Sequence, residues 1–323
     1  VNRRKTLVLV LGPFPILGLS VALTNWARPE GHSTSATNQV LMSSVAAAEP
    51  VGRIEAASQK PHPLAAPCRA AAERLSKLIG DDCHVISRPP FVLAGDMSVA
   101  SLEKWRHDTI APAAEAMANC YFHVPPSEPI TVLLFTGEAS YNHYAERLFN
   151  EHDISVYGYY KPDNRTLVMN IGTGGGTLVH ELTHALIAFD FPQVPDWFNE
   201  GLASLHEQCR FRDGDDGPWI EGVENWRLPG LQAAIRKQRL RSVESLLVSD
   251  DFRGADEGSN YAEARYLCLY LQRKDKLKSF YREFHARQQT DPRGAKSLLK
   301  QFPGKTWGEL DRDFQTWVLT LEQ

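Results

Sequence analysis

His180, Glu181 and His184 stand in the order H-E-x-x-H inside the run Gly174-Gly175-Gly176-Thr177-Leu178-Val179-His180-Glu181-Leu182-Thr183-His184-Ala185-Leu186. On a helix, residues four apart point nearly the same way, so His180 and His184 present two imidazoles on one face. Two such rings can share one zinc ion at Zn–N distances of about 2.0–2.1 Å. Glu181 follows about 100° around the helix. That sets a carboxylate beside the ion, where it can take a proton from metal-activated water. The plainer alternative is a surface helix with two solvated histidines. Leu178, Val179, Leu182, Ala185, Leu186 and Ile187 argue against it, because they make a mostly apolar helix that belongs in a core. Buried imidazoles need partners.

Zinc needs a third protein ligand, and two residues compete. Asp190 lies six residues after His184, where the metzincin pattern H-E-x-x-H-x-x-G-x-x-[HD] has its last ligand. That pattern turns the chain at a glycine, and Ile187 stands there instead, a residue that resists left-handed backbone. Glu200 fits better. Pro192 predicts that the helix stops near Phe189, and Pro195 with Asp196 suits the first turn of a second helix. His184 and Glu200 then lie at similar distances on either side of the connector. In an antiparallel helix pair packed about 8–10 Å apart they meet at one level.

H-E-L-T-H-A-L followed by P-D-W-F-N-E-G-L-A resembles the gluzincin branch of the zincin metallopeptidases, above all its small bacterial exported members with a peptidase-MA-like domain. The motif pair covers about 30 residues, with weaker likeness from roughly Phe91 to Tyr270. The resemblance implies one Zn2+ held by His180, His184 and Glu200, with Glu181 as catalytic base. It also implies an oxyanion donor, a Tyr or His from a downstream helix. Tyr261 is the candidate, with a core tyrosine on the stripe Tyr261, Ala264, Cys268 and Leu271 as the alternative. His206 is six residues past Glu200 and faces away from it. Thermolysin-like enzymes place an Asp four residues after the glutamate ligand, bonded to a zinc histidine; Ser204 stands there here, a weaker partner for a ligand.

The elements that must hold these residues can be read from the rest of the chain. At 323 residues, 43% hydrophobic and 23% charged, the composition is globular. A net charge of −4 gives no reason to expect a nucleic-acid partner. Asn2-Arg3-Arg4-Lys5 and the uncharged run Leu7–Leu23 read as a signal peptide or signal anchor over residues 1–27. Pro13 and Pro15 favour a cleaved signal over a straight spanning helix. An extracytoplasmic location follows, with membrane contact only through this segment if it is uncleaved. Residues 28–66, rich in Ser, Thr, Ala, Pro and Gly, read as a disordered tether.

A metallopeptidase domain is expected over 67–323. It begins with a helix from Cys68 to Gly80, and a Cys68–Cys83 disulfide is disfavoured because a helix would hold the two about 20 Å apart. Phe91–Gly95 and Ile130–Phe135 read as strands, Ser101–Cys120 and Ser140–Leu148 as helices. Val156–Tyr160 and Thr166–Ile171 flank a proline turn and form a hairpin into the metal helix. The resemblance implies that one of these two strands is an edge that pairs with extended peptide substrate. Gly172–Thr177 lacks the lysine of a phosphate loop, and Asp213–Gly217 lacks the ligand positions of a calcium loop, so it reads as an acidic turn. Beyond Leu228 the chain reads as helical. The expected fold is α+β and zincin-like: a small mixed sheet with helices and the active-site helix over 67–190, then a helical subdomain over 191–323, with the cleft between them. The expected function is peptide hydrolysis by a zinc-activated water. The rival is an inactive zincin-fold protein with a binding or structural role at the cell envelope, which an intact Glu181 disfavours.

Overall fold

The computed structural model describes residues 62–322, and the expected signal segment and nearly all of the expected tether lie outside them. Two apolar strands set the frame. β2 (Phe91–Gly95) is buried along its whole length, and β3 (Ile130–Phe135) nearly so, as expected for inner strands covered on both faces. They follow α1 (Ala65–Ile79), β1 (His84–Arg88), and a helical run made of α2 (Val99–Trp105), a π-helical turn (Arg106–Ile110) and α3 (Ala111–Cys120). After β3 come α4 (Glu138–Phe149), β4 (Gly158–Lys161) and β5 (Thr166–Asn170). The sheet order is β1-β2-β3-β5-β4, parallel at its centre and antiparallel at both edges. In register, Leu93 faces Val132 and Val132 faces Leu167.

Alternation along these strands feeds two cores. Leu93, Val132, Leu134, Leu167 and Met169 face α3 and α5 (Gly176–Asp190). Ala94, Leu133, Phe135 and Val168 face Tyr141 and Tyr144 of α4 and Ile79 of α1. The first core does not stop at residue 190. It continues through α6 (Asp196–His206), α7 (Leu228–Arg236), α8 (Val243–Val248), α9 (Glu257–Arg273), α10 (Leu277–Arg287), α11 (Ala295–Lys300) and α12 (Trp307–Thr320). The fold is α+β.

Several expectations need correction. α1 begins at Ala65, inside the stretch expected as tether. β1 was not foreseen, because His-Val-Ile-Ser-Arg is a partly polar edge strand. The part after residue 190 is not purely helical: β6 (Cys209–Gly214) and β7 (Gly217–Gly222) form a two-stranded hairpin. β6 is almost wholly exposed, and its apolar alternation, Cys209-Arg210-Phe211-Arg212, is only four residues long. Its acidic turn is pinned by Asn119 of α3, whose Nδ2 donates to the carbonyls of Asp216 and Pro218 at 3.1 and 2.9 Å. All five cysteines are free thiols. Among the described residues no helix is long and apolar enough to cross a membrane.

α9 is buried on every side from Asn260 to Leu271, and that burial takes two charged residues with it. Glu263 is fully buried and neither carboxyl oxygen has a hydrogen-bond partner. Burial raises its pKa well above the unperturbed 4.5; Asp311 adds to the rise and Arg241 opposes it. The folded chain therefore keeps a proton that the unfolded chain releases. Stability is fully present below the unfolded pKa and is lost as pH rises towards the folded one, at up to about 1.4 kcal/mol per pH unit. Glu263→Gln should flatten this dependence between about pH 5 and 7. Chemical denaturation at several pH values checks it, and parallel slopes in wild type and variant would contradict the assignment.

Candidate metal centre

α5 and α6 are joined by the short connector Phe191–Pro195, and the pairing of their side chains runs antiparallel: His184 meets Asn199, and His180 meets Glu207. Every residue of α5 from Leu178 to Ile187 is buried, so its histidines are carried into the core on an apolar helix. Two glycines permit the close approach. A Cβ on Gly176 would stand 2.3 Å from the Glu207 carbonyl oxygen, and one on Gly201 would stand 2.9 Å from that of Ala264. The first lets the start of α5 touch the end of α6; the second lets α6 lie tightly on α9 next to Glu200.

The three side chains converge. His180 Nε2 and His184 Nε2 are 3.0 Å apart, and Glu200 Oε2 lies 3.4 and 3.5 Å from them. Donors held tetrahedrally at about 2.0–2.1 Å from one zinc ion stand about 3.3 Å from each other. The triangle therefore fits a single ion of that size. The remaining donor atoms agree. His184 Nδ1 pairs with Asn199 Oδ1 at 2.9 Å, which puts the ring proton on Nδ1 and leaves the Nε2 lone pair free. His180 Nδ1 lies 3.1 Å from Glu207 Oε1, an ion-pair contact that misses hydrogen-bond alignment. Glu200 is wholly buried, and its Oε2 has no hydrogen-bond partner. Among the described residues this is the one group of three or more His, Cys, Asp or Glu side chains placed to hold a metal ion.

Charge is concentrated here. Burial opposes the charge on His180, but the contacts with Glu200 and Glu207 outweigh it and push its pKa up to about 10. Burial opposes the charge on Glu200 too, yet the imidazoles hold its carboxyl well below the usual range. Glu181 differs. Burial raises its pKa, the two histidines pull it down, and Glu200 and Glu207 push it up, with a net rise. Its Oε2 is buried without a partner.

A family model described as "Protein of unknown function (DUF1570)" matches residues 176–292. No curated protein gives a significant match to the chain. The matched stretch is less than half of the chain, but it runs from the first residue of α5 past the end of α10. It contains His180, Glu181, His184, Glu200 and Tyr261.

The partners of the histidines are not those expected. Ser204 is buried, but its Oγ has no hydrogen-bond partner. Asn199 and Glu207 take the role instead. Glu207 is in turn held by both terminal nitrogens of Arg227, whose guanidinium lies 4.1 Å from the Trp226 ring. Burial raises the pKa of Glu207, but His180 and Arg227 bring it down, so it stays a carboxylate. Its position was legible: seven residues past Glu200 is two helical turns, on the same face. The end of α6 is also tied to α9, since the buried Arg265 Nε donates to the Ser204 carbonyl at 3.0 Å.

Asp190 is elsewhere. Its carboxylate accepts from the backbone of His123 and Val124 at 2.7 Å each and from the Tyr281 hydroxyl at 2.5 Å. His206 is buried with Nδ1 3.2 Å from Thr183 Oγ1, and burial, with the charges of His180 and Arg265, takes its pKa down to about 3. It is a neutral packing residue outside the group of His180, His184 and Glu200. Tyr261 is buried, and its hydroxyl accepts from Arg253 Nη1 at 2.8 Å. Arg253 also donates to Glu200 Oε1 at 2.6 Å, so Tyr261 belongs to the network around Glu200. Of the two strands expected to form an edge, β5 is interior and β4 is the edge. A cavity of about 560 Å³, lined by Pro90, Phe91, Ala114, Phe122 and Leu186 among others, includes none of His180, His184 and Glu200.

Proposed function

We propose that this chain is an exported zinc-dependent peptidase of the gluzincin type, built on a zincin-like fold. The observation that carries this reading is the convergence of His180, His184 and Glu200 on one point, with the unengaged carboxylate oxygen of Glu181 on the same helix. When bound, zinc supplies Lewis acidity, which makes water nucleophilic near neutral pH and polarises a carbonyl.

The other steps belong to the chain itself. Glu181 takes the proton of the attacking water and passes it to the leaving amine. Asn199 orients the His184 ring through a hydrogen bond at Nδ1, and Glu207 sets a carboxylate in ion-pair contact with His180 Nδ1. β4 offers its free edge for backbone pairing with an extended peptide. Tyr261, whose hydroxyl accepts from Arg253 beside Glu200, is the group that would donate a proton towards the developing oxyanion. Tyr261→Phe should therefore lower turnover by up to about 10²–10³ while leaving zinc content unchanged. Unchanged turnover would return Tyr261 to a packing role.

The reading is tested by metal removal. Cleavage of peptides should vanish when a chelator strips the protein and return with one equivalent of zinc. Cleavage that persists in metal-free protein would contradict it. Export rests on the basic start and the apolar run of residues 7–23. Residues 1–60 fused to a reporter active only outside the cytoplasm should give signal, and a silent, expressed fusion would remove that part of the proposal.

A further inference from the structure

The loop between α8 and α9 sends one side chain to the metal group. Arg253 Nη2 donates to Glu200 Oε1 at 2.6 Å, Nη1 donates to Tyr261 Oη at 2.8 Å, and Nε lies 3.5 Å from Asp196 Oδ2. One guanidinium thus joins the first turn of α6, the carboxylate of Glu200 and the early turns of α9. The loop is built to hold it there. Phe252 is buried and packs on Tyr261 with ring centroids 5.2 Å apart. Its carbonyl accepts from Asn260 Nδ2 at 2.8 Å. On its other side the Asp251 carbonyl accepts from Gly254 N at 2.8 Å, closing a turn around Arg253.

The two oxygens of Glu200 are consequently unequal. Oε2 faces both Nε2 atoms and has no other partner, while Oε1 is occupied by the arginine. We propose that Arg253 is a positioning residue that fixes Glu200 as a one-oxygen metal ligand and sets the Tyr261 hydroxyl against the same group. The inference rests on the metal reading above. The terminal torsion of a glutamate is broad, so an unclamped carboxylate can swing both oxygens onto one ion. A charge-assisted hydrogen bond from a planar fork prevents this, and the second arm of the same fork reaches Tyr261. A lysine ammonium has donors but no rigid fork, so it does not fix the two partners in one geometry. The restriction has a chemical use: it keeps coordination low and leaves room for water and substrate.

The test compares wild type, Arg253→Met and Arg253→Lys. Zinc affinity is measured by competition with a chelator, Co2+ binding by its visible absorption, and folding by melting of the metal-free proteins. Arg253→Met is expected to bind zinc about 10–100-fold more weakly. It is also expected to give weaker cobalt bands, because an added oxygen raises the coordination number. Arg253→Lys, which keeps a donor for Oε1, is expected to recover the spectrum and part of the affinity. Wild-type affinity and spectrum in Arg253→Met overturn the inference. So does a loss that Arg253→Lys fails to mend although both variants melt like wild type. Should Arg253→Met not fold, Arg253→Gln takes its place and is read the same way. A wild-type chain that takes up neither ion overturns the metal reading itself, and this inference with it.

Discussion

Glu181→Gln is expected to leave zinc content at one ion per chain while hydrolysis falls by at least about 10²–10⁴, the range for loss of a general base. The substitution keeps the size of the side chain and removes only its capacity to accept a proton. Glu181 is not among the converging donors, so the ion should still bind. Its carboxyl is buried with a raised pKa and one oxygen without a partner, so a neutral amide fits the same space without removing an ion pair. The fold should therefore persist, and near-UV circular dichroism of the variant should match wild type. Metal analysis and peptide cleavage on the same preparation check the result. A variant that loses its zinc would make Glu181 part of the binding group. A variant that retains full activity would remove it from the chemistry.

The second large effect separates two acidic residues. Glu200→Ala should lower zinc content sharply, because it removes one corner of the donor triangle and leaves two imidazoles 3.0 Å apart. Asp190→Ala should leave zinc content near one per chain but destabilise the fold. Its carboxylate is the acceptor for two backbone N–H groups and a buried tyrosine hydroxyl. Leaving the buried Tyr281 hydroxyl unpaired alone costs about 1–3 kcal/mol. Chelator-competition assays and thermal melting of both variants give the two answers. If zinc loss follows Asp190 instead, the metal lies at the end of α5 and the α5–α6 pairing has no part in it.

The helix pair was legible because its signals are local. The i, i+4 spacing of the histidines, the apolar run around them and the prolines at the connector all lie within about one motif of each other. β2 and β3 were legible for the same reason, as short apolar runs that each follow a proline. What failed was of three kinds. β1 and β6 carry mixed or charged residues on exposed or edge positions, so any period is too short to mark a strand. Arg253 reaches Glu200 across 53 residues from a loop, and no spacing rule relates the two. Ser204 illustrates a third case: it has the right place on the α6 face, but its hydroxyl is short and makes no bond, while Glu207 one turn further reaches His180. Helix geometry selected the face correctly without deciding which residue on it makes the contact.

Incubation of the zinc-loaded chain with a broad peptide library, followed by mass-spectrometric sequencing of the fragments, tests the central claim most directly. Wild type should yield new peptide termini, and Glu181→Gln, loaded with the same zinc, should yield almost none. A zinc-loaded wild type that cleaves nothing across the library would contradict the peptidase reading and leave a metal-binding scaffold in its place.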